Sequence, residues 1–205
     1  MYLVKTPWWL RALYPTLIWQ IPTKEKVIYL SFDDGPHETA TNFVLDTLAK
    51  FNAKASFFCI GKNVQKYPAI YQRIINEEHA VGNHTQHHAN GWKVSDEIYF
   101  EEIEQAAASI KTNLFRPPYG RIKRAQIDTI TNMPFQIIMW SVLSGDFDLN
   151  LSPEACCNNV KKHAKSGSIV VFHDSTKAWE RMSYALPMVL AHFSNLGFRF
   201  EAIPA

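Results

Sequence analysis

The sequence predicts an α/β fold, a parallel sheet of about seven strands covered by helices. Three observations predict it. Apolar, strand-like runs alternate with helix-period segments along the chain after residue 25. The 205 residues, 47% of them hydrophobic, suffice for one domain with a sizeable core. Ionisable residues recur at or just after the C-terminal ends of the strand-like runs, the edge where α/β folds build their sites. Periodicity alone does not decide between a closed barrel and an open sheet.

The elements follow in order. "KVIYLSF" (26–32) reads as a buried strand, and "ETATNFVLDTLAKF" (38–51) places Phe43, Val44, Leu48 and Phe51 on one helical stripe. "KASFFCI" (54–60) is strand-like again. "YPAIYQRIINEE" (67–78) reads as a helix that tolerates Pro68 in its first turn. "HAVGNH" (79–84) is a short strand entering a loop. "SDEIYFEEIEQAAASIKTN" (95–113) is the clearest helix, with Ser95 as its N-cap. "LFRPPYG" (114–120) is a short strand, followed by a helix near 122–131. "FQIIMWS" (135–141) reads as one buried strand, and a helix is expected over 153–165. "GSIVVFH" (167–173) is a strand, "SYALPMVLAHFSNLG" (183–197) a helix stopped by Gly197, and "FRFEAI" (198–203) closes the fold.

Residues 1–25 stand apart. "PWWLRALYPTLIWQIP" is apolar but carries Arg11 and is interrupted by Pro15, so it suits neither a spanning helix nor an ordinary secretory signal. It is expected to pack on the domain formed by residues 26–205. A peripheral membrane contact and an atypical export signal are the alternatives. The expected location is cytoplasmic or peripheral to a membrane; oligomeric state is not legible.

Composition removes other classes. A net charge of +2 without charge runs argues against a nucleic-acid partner. Cys59, Cys156 and Cys157 form neither a disulfide framework nor a thiolate metal pattern, and are expected to be reduced and buried.

The chemistry concentrates in a few stretches. "SFDDGP" (31–36) ends an apolar strand with Asp33 and Asp34, and burying two neighbouring carboxylates is costly unless something compensates. "NHTQHH" (83–88) spaces His84 and His88 by four, which lets both imidazoles face one point. Two imidazoles and one carboxylate make a two-His-one-carboxylate metal site, with Asp34 the candidate acid. A divalent metal would answer the carboxylate problem. Zinc is expected first, with cobalt, nickel, iron or manganese also suited. Asp33, whose side chain diverges from that of Asp34, is then a candidate general base, and His173 in "VVFHDS" a candidate general acid. Asp174 and Ser175 are expected to cap the following segment, and His37 is left without a role.

These stretches resemble the five motifs of the polysaccharide deacetylases, carbohydrate esterase family 4 with its NodB-homology domain. "SFDDGP", "HTQHH", "RPPYG", a modified "SGDF" and "VFHDS" occur in the family's order, and the resemblance spans residues 26–203. It implies a distorted, closed or incomplete (β/α) barrel and metal-dependent removal of acetyl groups from N-acetylated sugars. It further implies that Asp34, His84 and His88 ligate the metal, that Asp33 is the base and His173 the acid. Arg116 would pair with Asp33, Asp146 with His173, and the Tyr119 N–H would meet the developing oxyanion. The fourth motif departs: Leu143 stands where the family often has an acid, and Phe147 replaces a tryptophan lining the acetyl pocket. Trp92 and Trp179 are candidate sugar platforms. The rival readings are a non-catalytic glycan-binding module, an iron oxygenase, and a hydrolase of small non-sugar amides.

Overall fold

The computed structural model describes residues 2–204. The central strand β1 (Val27–Asp33) is buried at every position and is flanked by β2 (Ala55–Cys59) and β7 (Ile169–His173). Outward from β2 come β3 (Ala80–Asn83), β4 (Leu114–Phe115) and β5 (Gln136–Ile137); beyond β7 comes β6 (Val142–Leu143). All pairings are parallel, and β8 (Arg199–Phe200) pairs with the start of β1. This is the expected distorted barrel of parallel strands.

The expected strand over 135–141 is strand only at Gln136–Ile137, and a second strand begins just past its end at Val142. The first of these, β5, pairs with β4, and the second, β6, pairs with β7 at the opposite edge of the sheet. One run of chain therefore supplies both edges and curls the sheet around. Hydrophobic periodicity identified the run as buried but carries no record of which neighbour each half selects.

Residues 2–25 line the same seam. Thr6 donates its N–H to the Ser141 carbonyl, Leu143 donates to Val4, Ile18 donates to Ile137 and Met139 donates to Ile18. The segment supplies backbone partners to a stretch that would otherwise leave polar groups unpaired. Within it a short helix, α1 (Trp8–Leu13), goes unforeseen by sequence pattern.

Alternation along β1 divides the core. Ile28, Leu30 and Phe32 face the cluster beneath helices α2 (Ala40–Lys50), α7 (Pro153–His163) and α8 (Trp179–Asn195), whereas Val27 and Tyr29 join Phe58, Leu114, Ile138, Ile169 and Ile203 in a second cluster. Phe32 stacks between Phe57 and Phe172 at 5.2 and 6.1 Å. The same alternation puts Ser31 and Asp33 on the Val27–Tyr29 face, above the apolar layers.

The remaining helices are α3 (Gly61–Lys66), missed by sequence, α4 (Pro68–Asn76), α5 (Asp96–Ser109) and α6 (Arg124–Asn132). Ser95 caps α5 by accepting the Ile98 N–H, as expected, and Asp96 and Glu97 suit its positive N-terminal dipole. Ser152 caps α7, whose last turn carries Lys161, Lys162 and His163. Among the described residues, no helix is long and apolar enough to cross a membrane.

Candidate active site

Strand register assembles the rim. Asp33 is the register partner of both Phe58 and His173, Cys59 is opposite Asn83, and Asn83 is opposite Phe115. Asp34, His84, Arg116 and His173 thus end adjacent strands at one level. The loops that follow are unusual in backbone: Asp34, Thr85, His88 and Tyr119 all have left-handed φ, between 60° and 81°. Such conformations cost about 1–3 kcal/mol each in a non-glycine residue, so surrounding contacts must impose them.

Arg116 is fully buried. Its guanidinium donates to the Asp33 carboxylate (2.6 Å), Ser31 Oγ (2.8 Å) and the carbonyls of Ile138 and Met139 (3.1 Å each), and lies over the Phe58 ring. A buried cation with four acceptors is compensated; without them it would be prohibitive. Burial alone would raise the pKa of Asp33, but Arg116, with His84 and His173, outweighs it and holds the carboxyl below its usual range.

Asp146 and His173 form a second buried pair. Asp146 accepts the His173 backbone N–H at Oδ2 (2.7 Å) and the ring Nδ1–H at Oδ1 (2.8 Å). Burial pulls His173 down, but Asp146, helped by Asp34 and Asp33, reverses this and holds the imidazole up at about 10. The proton is retained and Nε2 is the end left to act. Arg181, buried and not singled out from sequence, donates to the Asp146 carbonyl and fixes that loop.

Between the pairs lie Asp34, His84 and His88, with potential ligand atoms all within 4.8 Å of one another. The His84 Nδ1 lies 2.7 Å from the Arg116 carbonyl. A carbonyl only accepts, so Nδ1 carries the proton and Nε2 presents a lone pair. Burial first, and the neighbouring His88, keep His84 neutral, with a pKa lowered to about 4. That lone pair faces Asp34 Oδ1 at 3.9 Å, and His88 Nε2 lies 3.2 Å from the same oxygen. Asp34 Oδ1 is buried and has no hydrogen-bond partner among the described residues. Acceptors converging on an unpartnered carboxylate oxygen fit a divalent cation.

The other expected residues are placed as follows. Tyr119 is exposed, its ring 4.5 Å from that of His88. Phe147 meets His173 edge-on at 5.2 Å. Trp92 is exposed, with Arg121 on its ring and its indole N–H bound to the Ile122 carbonyl. Trp179, half-buried at the start of α8, packs against Phe43 and the main core. Asp174 does not cap: it turns inward to accept the Gly35 N–H and the Thr41 hydroxyl, and burial raises its pKa to about 8. A Cβ on Gly35 would lie 2.1 Å from that carboxylate, which reserves the position for glycine. His37 caps α2, Nδ1 accepting the N–H groups of Thr39 and Ala40. All three cysteines are free and buried.

Tyr2, like Arg181, is a site residue that sequence reasoning missed. Its ring packs 4.9 Å from Phe147 and its hydroxyl donates to Asp148. It arrives from the far end of the chain and belongs to no motif.

The polysaccharide deacetylase family profile matches residues 20–138. The chain is 35% identical over 201 residues to the peptidoglycan-N-acetylglucosamine deacetylase of Bacillus cereus, with 94% of each chain covered. It is 31% identical to the chitooligosaccharide deacetylase of Azorhizobium caulinodans, over 90% of this chain and 96% of that one. The fold matches the crystal structure of the Bc1960 peptidoglycan N-acetylglucosamine deacetylase with a TM-score of 0.88 and 32% identity, over 97% of this chain and 95% of that one.

Proposed function

The chain belongs to the polysaccharide deacetylase family, and from that premise we propose that it removes the acetyl group from N-acetylglucosamine in peptidoglycan, using one divalent metal. The observation that carries the reading is the unpartnered Asp34 oxygen facing two imidazoles, between a carboxylate held ionised and an imidazole held protonated. The similarity to the B. cereus peptidoglycan enzyme favours this glycan over chitooligosaccharide.

Asp34, His84 and His88 would hold the metal, for which zinc suits the ligand set best. When bound, it supplies Lewis-acid polarisation of the amide carbonyl and acidifies water towards pKa 7. Asp33 receives a proton from the attacking water. Arg116 occupies its Oδ1, which fixes the carboxylate plane and keeps it a base. The Tyr119 N–H would donate to the oxyanion that develops on the former carbonyl oxygen. His173 delivers its Nε2 proton to the departing sugar nitrogen as the C–N bond breaks, so acetate and a free amine leave together. Phe147 lines the wall beside the acyl group, and Trp92 offers an exposed ring to a neighbouring sugar.

Acetate release from peptidoglycan fragments and from N-acetylglucosamine oligomers, alongside metal analysis of the same preparation, tests the reading. Release that stops on chelation and returns with zinc is expected. Full release from metal-free protein, or none from either glycan with metal restored, would overturn it.

A further inference from the structure

Helix α1 presents a concentrated apolar surface to solvent. Trp8 is 74% exposed, Trp9 53% and Leu13 56%, and none of the helix's residues is buried. Leu10 and Tyr14 fasten the segment to the core by packing beneath it. Single exposed apolar residues are ordinary; two indoles and a leucine within one short helix form a patch. Beside it runs a groove of about 530 Å³ whose walls include Trp8, Arg11, Leu17, Trp19 and Ile21.

The surroundings are basic. Lys5 precedes the helix and Arg11 lies on it. The end of α7 adds Lys162 and the loop after it Lys165, since Ile21 donates its N–H to the Gly167 carbonyl just beyond. Burial, then the Lys162 and Lys5 ammonium groups, hold His163 below its usual value. None of the four cations is in an ion pair among the described residues. Indole rings prefer the headgroup region of a bilayer, and unpaired cations favour anionic lipid.

We propose that α1 and its flanking cations dock this protein on an anionic phospholipid bilayer. Trp8, Trp9 and Leu13 enter the headgroup layer, and Lys5, Arg11 and Lys162 meet lipid phosphates. The patch lies near the N-terminal starts of β6 and β7, where Thr6 meets Ser141 and Ile21 meets Gly167. The ionisable rim lies at the opposite, C-terminal ends of the strands.

Co-sedimentation of the full chain with phosphatidylcholine vesicles, with and without phosphatidylglycerol, tests this. Binding is expected only to the anionic vesicles, with a blue shift of tryptophan emission. Trp8→Ala/Trp9→Ala should weaken binding about tenfold or more, as should high salt. Both indoles are exposed, so the variant should fold, and unchanged acetate release from a soluble oligosaccharide checks that it does. Equal binding to both vesicle types, no binding to either, equal binding by the variant, or retention by purified cell wall in place of vesicles would each overturn the proposal.

Discussion

The Asp146→Asn substitution isolates the proton that His173 delivers. Asparagine keeps the shape and can still accept the His173 backbone N–H, but it removes the charge facing Nδ1. His173 stands at about 10 because Asp146 overcomes burial; without that charge, burial dominates and the imidazole falls to its ordinary value of 6.5 or lower. At about pH 8 the imidazolium fraction then drops from nearly all to about 3%, a loss of about thirtyfold in the acid form alone. At about pH 6 the same change removes only about a quarter of it. The pH–rate profile of kcat/KM, measured with a soluble N-acetylglucosamine oligomer, should therefore show an alkaline limb moved from about 10 to about 6.5 or below. Thermal melts at both pH values separate this from a folding defect. An equal fold-loss at both pH values, with the limb unmoved, would refute the assignment.

Three further outcomes are expected. Asp33→Asn leaves the buried Arg116 cation without its counter-charge, so it should lower stability by about 3–5 kcal/mol in chemical denaturation as well as abolish turnover; an active variant of unchanged stability would remove both roles. Tyr2→Ala withdraws the ring behind Phe147 and should raise the N-propionyl to N-acetyl ratio of kcat/KM by about tenfold, whereas Tyr2→Phe, which loses only the Asp148 bond, should leave it near wild type. A ratio that Tyr2→Ala does not move would show that Tyr2 does not shape the acyl wall. His79 accepts the Ala55 N–H at Nδ1, and burial, then Lys54, lowers its pKa from 6.5 to about 4. The unfolded chain binds the extra proton between those values, so stability is fully present above 6.5 and is lost as pH falls towards 4. His79→Asn retains an acceptor without titrating and should flatten that slope in melts taken across the window.

Much of the site was legible because the fold places chemistry by a simple rule. Asp33, His84, Arg116 and His173 each end an apolar run, and parallel register brings such ends to one level. Helix α5 was legible from Ser95 and the repeat of its apolar positions. What escaped has a common origin in tertiary choice. Periodicity describes "FQIIMWS" as buried but cannot say that its start serves one edge of the sheet and the residues just past it the other. Asp174 stands after a strand like any cap, yet it is the inward turn towards Gly35 and Thr41 that defines it. Tyr2 reaches Phe147 from 145 positions away, with no spacing to betray the contact.

The seam over residues 135–143 has a further consequence for proton abstraction. The carbonyls of Ile138 and Met139, which grip the Arg116 guanidinium, lie where the chain passes from one margin of the sheet to the other. Curling the sheet and aiming the Asp33 oxygens are thus one geometric event. A single residue inserted between Ile137 and Ile138 would slide both carbonyls past the guanidinium. It should silence hydrolysis while every residue at the rim keeps its identity.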